Sequence, residues 1–207
     1  MKKVYYFLII CLFSVHLMAI ENCQLLQFQG DVRIRKAYEN QYQTPSAGMQ
    51  LEDKMVLNAT PQSRASIKTY DGSVFNLPPN AQIEVDELKK RDRNELVMLL
   101  TGLEIQQLPD KNVLNTKQTA FVLHGAAPEQ LEMSSEQVDA YIQNEINGAK
   151  TLFEQGYISG FILKATRLQM LFPDMKDEEI NQLLIQAFDD MNMPYRKQKL
   201  IEKMKNQ

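Results

Sequence analysis

The spacing of apolar and polar positions changes once along the chain. Up to about residue 125, apolar residues alternate with polar ones in short runs separated by Gly, Pro, Asn and Asp. Period two with frequent turn signals predicts short strands of a sandwich, barrel or short solenoid. After Ala126-Ala127-Pro128 the apolar spacing becomes three and four, which predicts amphipathic helices. We therefore predict an α+β fold, with an N-terminal all-β module of short strands (sandwich or short β-solenoid) followed by a C-terminal helical region of three to four helices.

The central stretch is Ile67 to Val85, which reads IKTYDGSVFNLPPNAQIEV and predicts strand, turn, strand, turn, strand. Asp71-Gly72 separates two β-prone runs, and Gly accepts a positive φ at little cost, so a tight hairpin is expected. Pro78-Pro79 ends the second strand because proline has no N–H to donate. Asp71 could act as a catalytic acid, but an Asp beside Gly is far more typical of turn formation.

Further strands are predicted on either side of this stretch. Alternation or apolar runs mark them at Val32–Lys36, Lys54–Leu57, Glu95–Leu100, Leu103–Gln107 and Thr119–His124, with Thr101-Gly102 as a turn. The block at residues 86–94, DELKKRDRN, carries charges of both signs and predicts a solvated loop.

Four helices are predicted after Pro128. Ser134 with Gln137 forms a capping box for the first, and Gly156 suits its C-terminal end. The second carries apolar residues from Tyr157 to Phe172 and ends at Pro173; the third starts near Asp174 and the fourth near Pro194.

The first 19 residues are typical of an export signal. Lys2 and Lys3 precede an uncharged, largely apolar run from Val4 to Met18, and Ala19 offers a cleavage site. An uncleaved membrane anchor is the alternative. The predicted organisation is a signal peptide at 1–19, a β-rich domain at 20–127 and an α-helical region at 128–207. The expected location is periplasmic or secreted, in the bacterial envelope, with no transmembrane helix after signal cleavage.

The amino-acid composition limits the functions that this chain is expected to have. The 207 residues include 44% hydrophobic ones, enough for a core, and the net charge of −3 gives no reason to expect nucleic acid. Removal of residues 1–19 would leave Cys23 and His124 as the only Cys and His, so neither an internal disulfide nor a transition-metal site is expected. The last twelve residues, 196–207, carry a charge of +4, which suits either the helix dipole or an acidic partner.

Several motifs of the first half resemble the FecR-like domain of bacterial envelope proteins. The matching elements are Gly30-Asp31-Val32-Arg33-Ile34, Gly48 to Met55, Asp71-Gly72-Ser73 and Leu77 to Ile83. Glu52 and Ala81 depart from the family's usual Gly and Thr, and Leu114 to Gly125 matches only weakly. The resemblance covers about residues 25–125 and implies a β-rich fold. Some relatives are anti-sigma regulators with a cytosolic domain that this chain lacks, whereas others are exported modules thought to bind envelope components.

These observations favour an exported binding or scaffolding protein without catalytic activity, whose partner is an envelope protein or glycan. No catalytic, cofactor-binding or metal residue is assigned, and no cofactor is expected. The alternatives are a carboxylate-based envelope glycan hydrolase, which requires two acids converging in a cleft, and a structural subunit of an envelope assembly. Glu178-Glu179 and Asp189-Asp190 are predicted to be solvated, and Tyr38 and Tyr42 could stack on a sugar.

Overall fold

Two antiparallel sheets and a set of helices make up the fold of this chain. The structure, a computed structural model, describes residues 22–106 and 135–205, apart from residues 38, 40, 174 and 176. The strands are β1 (Cys23–Gln29), β2 (Val32–Lys36), β3 (Gln50–Leu51), β4 (Met55–Ala59), β5 (Arg64–Lys68), β6 (Val74–Leu77) and β7 (Ala81–Glu84). One sheet has the order β3-β1-β5-β6 and the other β2-β4-β7. The predicted α+β class is confirmed.

The helices follow the strands. A short 3-10 helix (Val85–Leu88) continues directly from β7. It is followed by α1 (Arg93–Gln106), α2 (Ser135–Glu154), α3 (Ile158–Leu171), α4 (Glu178–Asp190) and α5 (Pro194–Lys205). No helix in the described ranges is long and apolar enough to cross a membrane.

The central strands confirm the alternation read from the sequence. β5 and β6 pair antiparallel from Ala65 with Leu77 to Lys68 with Val74. Ala65, Ile67, Phe75 and Leu77, which alternate with polar or exposed residues, are at most 2% exposed. After Pro78-Pro79 the chain leaves this sheet, because β7 pairs with β4 and not with β6. The turn residues therefore pass the chain from one sheet to the other.

One hydrophobic core joins the sheets to the helices. The apolar faces of both sheets contribute to it, as do α1 to α5; examples are Leu25, Ile83, Leu96, Phe161, Leu184 and Leu200. The helices thus bury apolar surface of the β-rich half as well as of each other.

Two glycines allow α2 and α3 to lie directly on the β-rich half. A Cβ at Gly148 of α2 would lie 1.8 Å from the carbonyl oxygen of Gln82 in β7. A Cβ at Gly160 of α3 would lie 1.9 Å from the carbonyl oxygen of Glu87 in the 3-10 helix. Neither separation is possible for a real side chain, so both contacts depend on glycine.

Part of the strand prediction was wrong. Glu95–Leu100 and Leu103–Gln106 belong to the single helix α1, and Gly102 lies within it rather than in a turn. A short apolar run does not distinguish a strand from a buried helix, and here the helix formed. β1 was not predicted.

The charged block at 86–94 is also not the solvated loop that we expected. Part of it forms the 3-10 helix, and Glu87 and Arg91 are only 2% and 8% exposed.

The later helices match their predictions closely. Gly156 follows α2 with a φ of 81°, as its C-capping role requires. The third predicted helix begins at Glu178 rather than near Asp174, because Asp177 caps it by accepting a hydrogen bond from the Ile180 N–H at 2.9 Å. The predictions for residues 1–19, Tyr38, Thr119–His124, Ser134 and the boundary at 127/128 fall outside the described residues.

Candidate functional site

A cluster of charged side chains lies where α2 and α3 cross β7 and the 3-10 helix. We call it the buried charge cluster; it consists of Glu84, Glu87, Glu145, Lys164 and Arg167. Secondary structure brings its members together. Glu84 ends β7 and Glu87 follows one turn later, while Lys164 and Arg167 are three apart and share one face of α3. Glu145 comes from α2, one turn before the Gly148 contact.

Lys164 is the centre of the buried charge cluster. Its Nζ lies 2.5 Å from Glu145 Oε2 and 3.2 and 3.3 Å from the two carboxylate oxygens of Glu87. Arg167 Nη1 lies 3.1 Å from Glu84 Oε2 and 3.7 Å from Glu87 Oε1. Glu87 also accepts a hydrogen bond from the Glu84 N–H at 2.9 Å. Ion pairs and hydrogen bonds thus connect four separate elements: β7, the 3-10 helix, α2 and α3.

A layer of amides extends the cluster across the sheet. Gln82 of β7 donates to Glu145, and it accepts a hydrogen bond from Asn58 of β4 at 2.9 Å. These side chains lie on the sheet face opposite the apolar core residues Leu57 and Ile83. The second face of this sheet is therefore polar, and α2 covers it.

Burial changes the pKa values of the side chains in the buried charge cluster. Burial of the Glu87 carboxyl raises its pKa from 4.5 to about 7, although Lys164 and Arg167 act in the opposite direction. Burial also disfavours the charge on Lys164, but Glu145 and Glu87 outweigh it and raise the pKa of the ammonium. Lys164 therefore stays charged at neutral pH, while Glu87 holds its proton to a higher pH than an ordinary glutamate does.

A buried acid with a raised pKa is one feature that a carboxylate-based hydrolase requires. Its setting here differs from a catalytic cleft. Glu87 and Glu145 are 2% and 6% exposed, and both carboxyl groups contact the Lys164 ammonium. The arrangement supplies a structural ion cluster with a proton-binding group rather than two acids facing a substrate.

A second cluster surrounds the Asp71-Gly72 turn. Asp71 Oδ1 accepts hydrogen bonds from the hydroxyls of Thr69 (2.7 Å) and Ser73 (2.6 Å), as expected of a turn-forming Asp. Lys90 lies 2.7 Å from its other oxygen. The hydrogen bonds from Lys90, Ser73 and Thr69 hold the pKa of Asp71 well below its ordinary value. A carboxylate whose pKa is lowered this far is too weakly basic to act as an effective general base for Ser73.

The same turn contacts the helical half through Tyr157. The tyrosine hydroxyl lies 2.8 Å from Ser73 Oγ and 3.1 Å from Thr69 Oγ1. The ring packs edge-on against Phe75, with 5.4 Å between the centroids. The Asp-Gly-Ser turn thus anchors the start of α3.

Cys23 was expected to be buried or idle, and it is fully buried. Burial raises the pKa of its thiol to about 11, despite a hydrogen bond with Tyr70. Because the thiolate is the reactive form, this cysteine is not suited to nucleophilic chemistry.

The surface offers exposed apolar side chains on α1. Met98 and Ile105 are 75% and 60% exposed, on the side opposite the buried Leu96 and Leu100. Tyr42 is also exposed, and the Arg33 guanidinium lies 5.8 Å from its ring centre.

The other predicted surface charges are largely paired. Arg196 and Lys199 contact Glu104 of α1, and Lys197 contacts Asp189. Glu178-Glu179 and Asp189-Asp190 are exposed, as predicted.

Sequence reasoning did not find the buried charge cluster. The available signal was Lys164, the single charged residue in the apolar run YISGFILKA at 157–165. Gly148 and Gly160, glycines inside helical patterns, were a second signal of close packing.

Comparisons with known proteins give no assignment: no family model, no curated protein and no solved structure matches this chain. Within the described residues there is also no group of three or more His, Cys, Asp and Glu that could hold a metal ion.

Proposed function

We propose that this chain is an exported binding or scaffolding protein of the bacterial cell envelope. In this proposal a FecR-like β-rich module and the helices form one rigid body, and α1 docks an apolar helix of another envelope protein. The observation that carries the proposal is the outward face of α1, where Met98 and Ile105 are 75% and 60% exposed.

The geometry of α1 supports a helical partner. Leu96 and Leu100 anchor its inner side in the core at 0% exposure. On its outer side Asn94, Met98, Thr101 and Ile105 follow one another at intervals of four, three and four. This is the spacing of a seam that packs against a second helix. Glu104, held by Arg196 and Lys199, fixes the end of α1 against α5.

Two further observations support the assignment to the envelope. The first is the signal-like N-terminus at residues 1–19. The second is the resemblance to FecR-like domains. Its Asp-Gly-Ser element forms the ordered turn between β5 and β6, and its Leu-Pro element leads from one antiparallel sheet to the other, as a sandwich-type module would require.

The test is site-specific photo-crosslinking of the full chain in intact cells. The photoreactive residue is placed at Met98 or Ile105, with exposed Gln186 of α4 as the control position. We expect both α1 positions to capture the same envelope protein, and Gln186 not to capture it. Met98→Glu should abolish capture at position 105 while circular dichroism stays unchanged. Equal products at all three positions would contradict the proposal.

The same experiment separates the proposal from the structural-subunit alternative. A crosslinked product of twice the chain mass, containing only this protein, would show that α1 pairs with a second copy. Size-exclusion chromatography with light scattering would then give the oligomeric state.

The glycan hydrolase is the alternative that this setting favours less, because Glu87, the acid with the raised pKa, is only 2% exposed. It predicts that purified full-length chain releases soluble fragments from isolated cell-wall glycan, and that Glu87→Gln abolishes the release. Lack of release by folded wild-type chain would remove this alternative.

A further inference from the structure

The charges of the buried charge cluster do not balance. Glu84, Glu87 and Glu145 supply three carboxylates against the two cations Lys164 and Arg167. An uncompensated charge is costly away from water, and a carboxyl group can remove it by binding a proton. With one proton bound, the five side chains are neutral as a set.

Distances and burial single out Glu87 among the three carboxyl groups. Lys164 lies closer to Glu145 (2.5 Å) than to Glu87 (3.2 Å). Arg167 lies closer to Glu84 (3.1 Å) than to Glu87 (3.7 Å). Each cation therefore lies nearer to another carboxylate than to Glu87, and Glu87, at 2% exposure, is the most deeply buried of the three.

The charged groups that face Glu87 come from three elements packed around it. Lys164 and Arg167 approach from α3, Glu145 from α2 and Glu84 from β7. Beyond Glu145 lie Tyr141 of α2 and, near its ring, Arg35 of β2.

We propose that this cluster is a proton-operated joint: a proton on Glu87 keeps α2 and α3 tightly docked on β7 and the 3-10 helix, and its release loosens that contact. Gly148 and Gly160 make this joint sensitive to the charge on Glu87. The backbones of Gln82 and Glu87 touch these glycines, so repulsion among the three carboxylates cannot relax unless a helix moves.

The sign of the effect follows from the direction of the pKa shift. The pKa of Glu87 is raised in the folded chain, from 4.5 to about 7. Its proton therefore contributes stability fully below about pH 4.5 and loses that contribution as the pH rises through about 7. Asp71 acts oppositely, because its pKa is lowered, and its contribution is lost only in more acidic solution. Between about pH 5 and pH 8 we expect the folding equilibrium constant to fall on the order of 50-fold through Glu87.

Urea unfolding of the full chain between about pH 5 and pH 8 tests this joint. Wild type, Glu87→Gln and the control Glu52→Gln, at an exposed residue, are compared. We expect wild type and Glu52→Gln to lose stability in parallel as the pH rises. In Glu87→Gln the folding equilibrium constant should not show the fall, on the order of 50-fold, that Glu87 contributes over the same pH range. The same pH dependence in all three proteins would overturn the proposal.

A measurement on wild type alone keeps the test independent of whether Glu87→Gln folds. Carbon-13 labelling of glutamate carboxyl groups follows each titration by NMR. We expect one carboxyl to titrate near pH 7. In hydrogen exchange corrected for the intrinsic rate, the amides of α2 and α3 should lose protection relative to β5 over the same interval. Midpoints all below about pH 5.5, or unchanged relative protection, would overturn the proposal.

Discussion

The side chain of Gln155 pairs with both backbone polar groups of Asn76. The Asn76 N–H donates to Gln155 Oε1 at 2.8 Å, and Gln155 Nε2 donates to the Asn76 carbonyl at 2.7 Å. Asn76 lies in β6, one of the two edge strands of its sheet. One amide therefore occupies positions that a neighbouring strand would otherwise take.

Gln155→Ala should leave the N–H and carbonyl of Asn76 available for pairing with another strand. We expect a loss of about 1 to 2 kcal/mol in the free energy of unfolding, because two hydrogen bonds disappear, and faster self-association at high concentration. Urea unfolding and light scattering measure the two effects. Gln186→Ala, at an exposed position of α4, is the control and should change stability by less than about 0.5 kcal/mol. Equal behaviour of the two variants would contradict the assigned role of Gln155.

Gly148→Ala and Gly160→Ala should each destabilise the chain by about 3 kcal/mol, since the new methyl group would meet a backbone carbonyl that cannot turn aside. Gly102→Ala is the matched control, because it lies in α1 with nothing within 4 Å of the added Cβ. That variant should gain up to about 1 kcal/mol from helix propensity. Thermal and urea unfolding measure all three, and a stabilising Gly148→Ala would show that α2 does not lie this close to β7.

Lys164→Met should destabilise the chain by about 3 to 5 kcal/mol, because Glu87 and Glu145 would lose their shared cation. Adding Glu87→Gln and Glu145→Gln to that variant should recover part of the loss. Lys199→Met, at an exposed lysine, should cost less than about 1 kcal/mol. Denaturant unfolding at neutral pH provides the comparison, and a cost for Lys164→Met no greater than that for Lys199→Met would argue against the buried charge cluster.

Asp71→Asn keeps the turn shape but removes the charge. Because its pKa is lowered in the folded chain, the Asp71 carboxylate stabilises the fold above its unfolded pKa of about 4, and the contribution is lost as the pH falls. We expect a cost of about 1 kcal/mol at neutral pH, modest since the side chain is partly exposed, and none in strong acid. Unfolding curves across acid pH test it, with Asp139→Asn as the exposed control. A cost independent of pH would indicate that the charge is not the cause.

Cys23 should resist alkylation in the native chain. It is fully buried, and burial raises the pKa of its thiol to about 11, so thiolate is scarce near neutral pH. A Cys11→Ser background isolates this thiol. We expect mass spectrometry to show modification by iodoacetamide only after unfolding in urea, whereas rapid native labelling would contradict the burial of β1.

Local sequence patterns predicted the strands, turns and helices whose secondary structure is determined by their own residues. The alternation in β5 to β7, the Asp-Gly turn and the 3.6-residue spacing after Pro128 were sufficient for those strands and helices. The run at 95–100 was misassigned because the five consecutive apolar residues after Glu95 show neither the strand period nor the helix period clearly. Its helical form depends on Leu96, Leu100 and Leu103 packing on the core together.

Local sequence patterns could not predict the buried charge cluster. Glu87 stands in a charged block that is typical of a solvated loop, and nothing near it in sequence indicates burial. Its partners come from α2 and α3, and only the tertiary contact makes Glu87 an interior residue. The Asp71 turn was predictable for the opposite reason: two of its three hydrogen-bonding side chains lie within two residues of it.

The sequence separation within this cluster also has a consequence for synthesis. Glu87 and Lys164 are 77 residues apart. At roughly 5 to 20 residues per second, the strands would wait about 4 to 15 seconds for their counter-charge to leave the ribosome. During that interval Glu87 and the polar face of β7 keep their water. The nascent β-rich half thus remains hydrated and incompletely packed, and the arrival of α3 completes the fold.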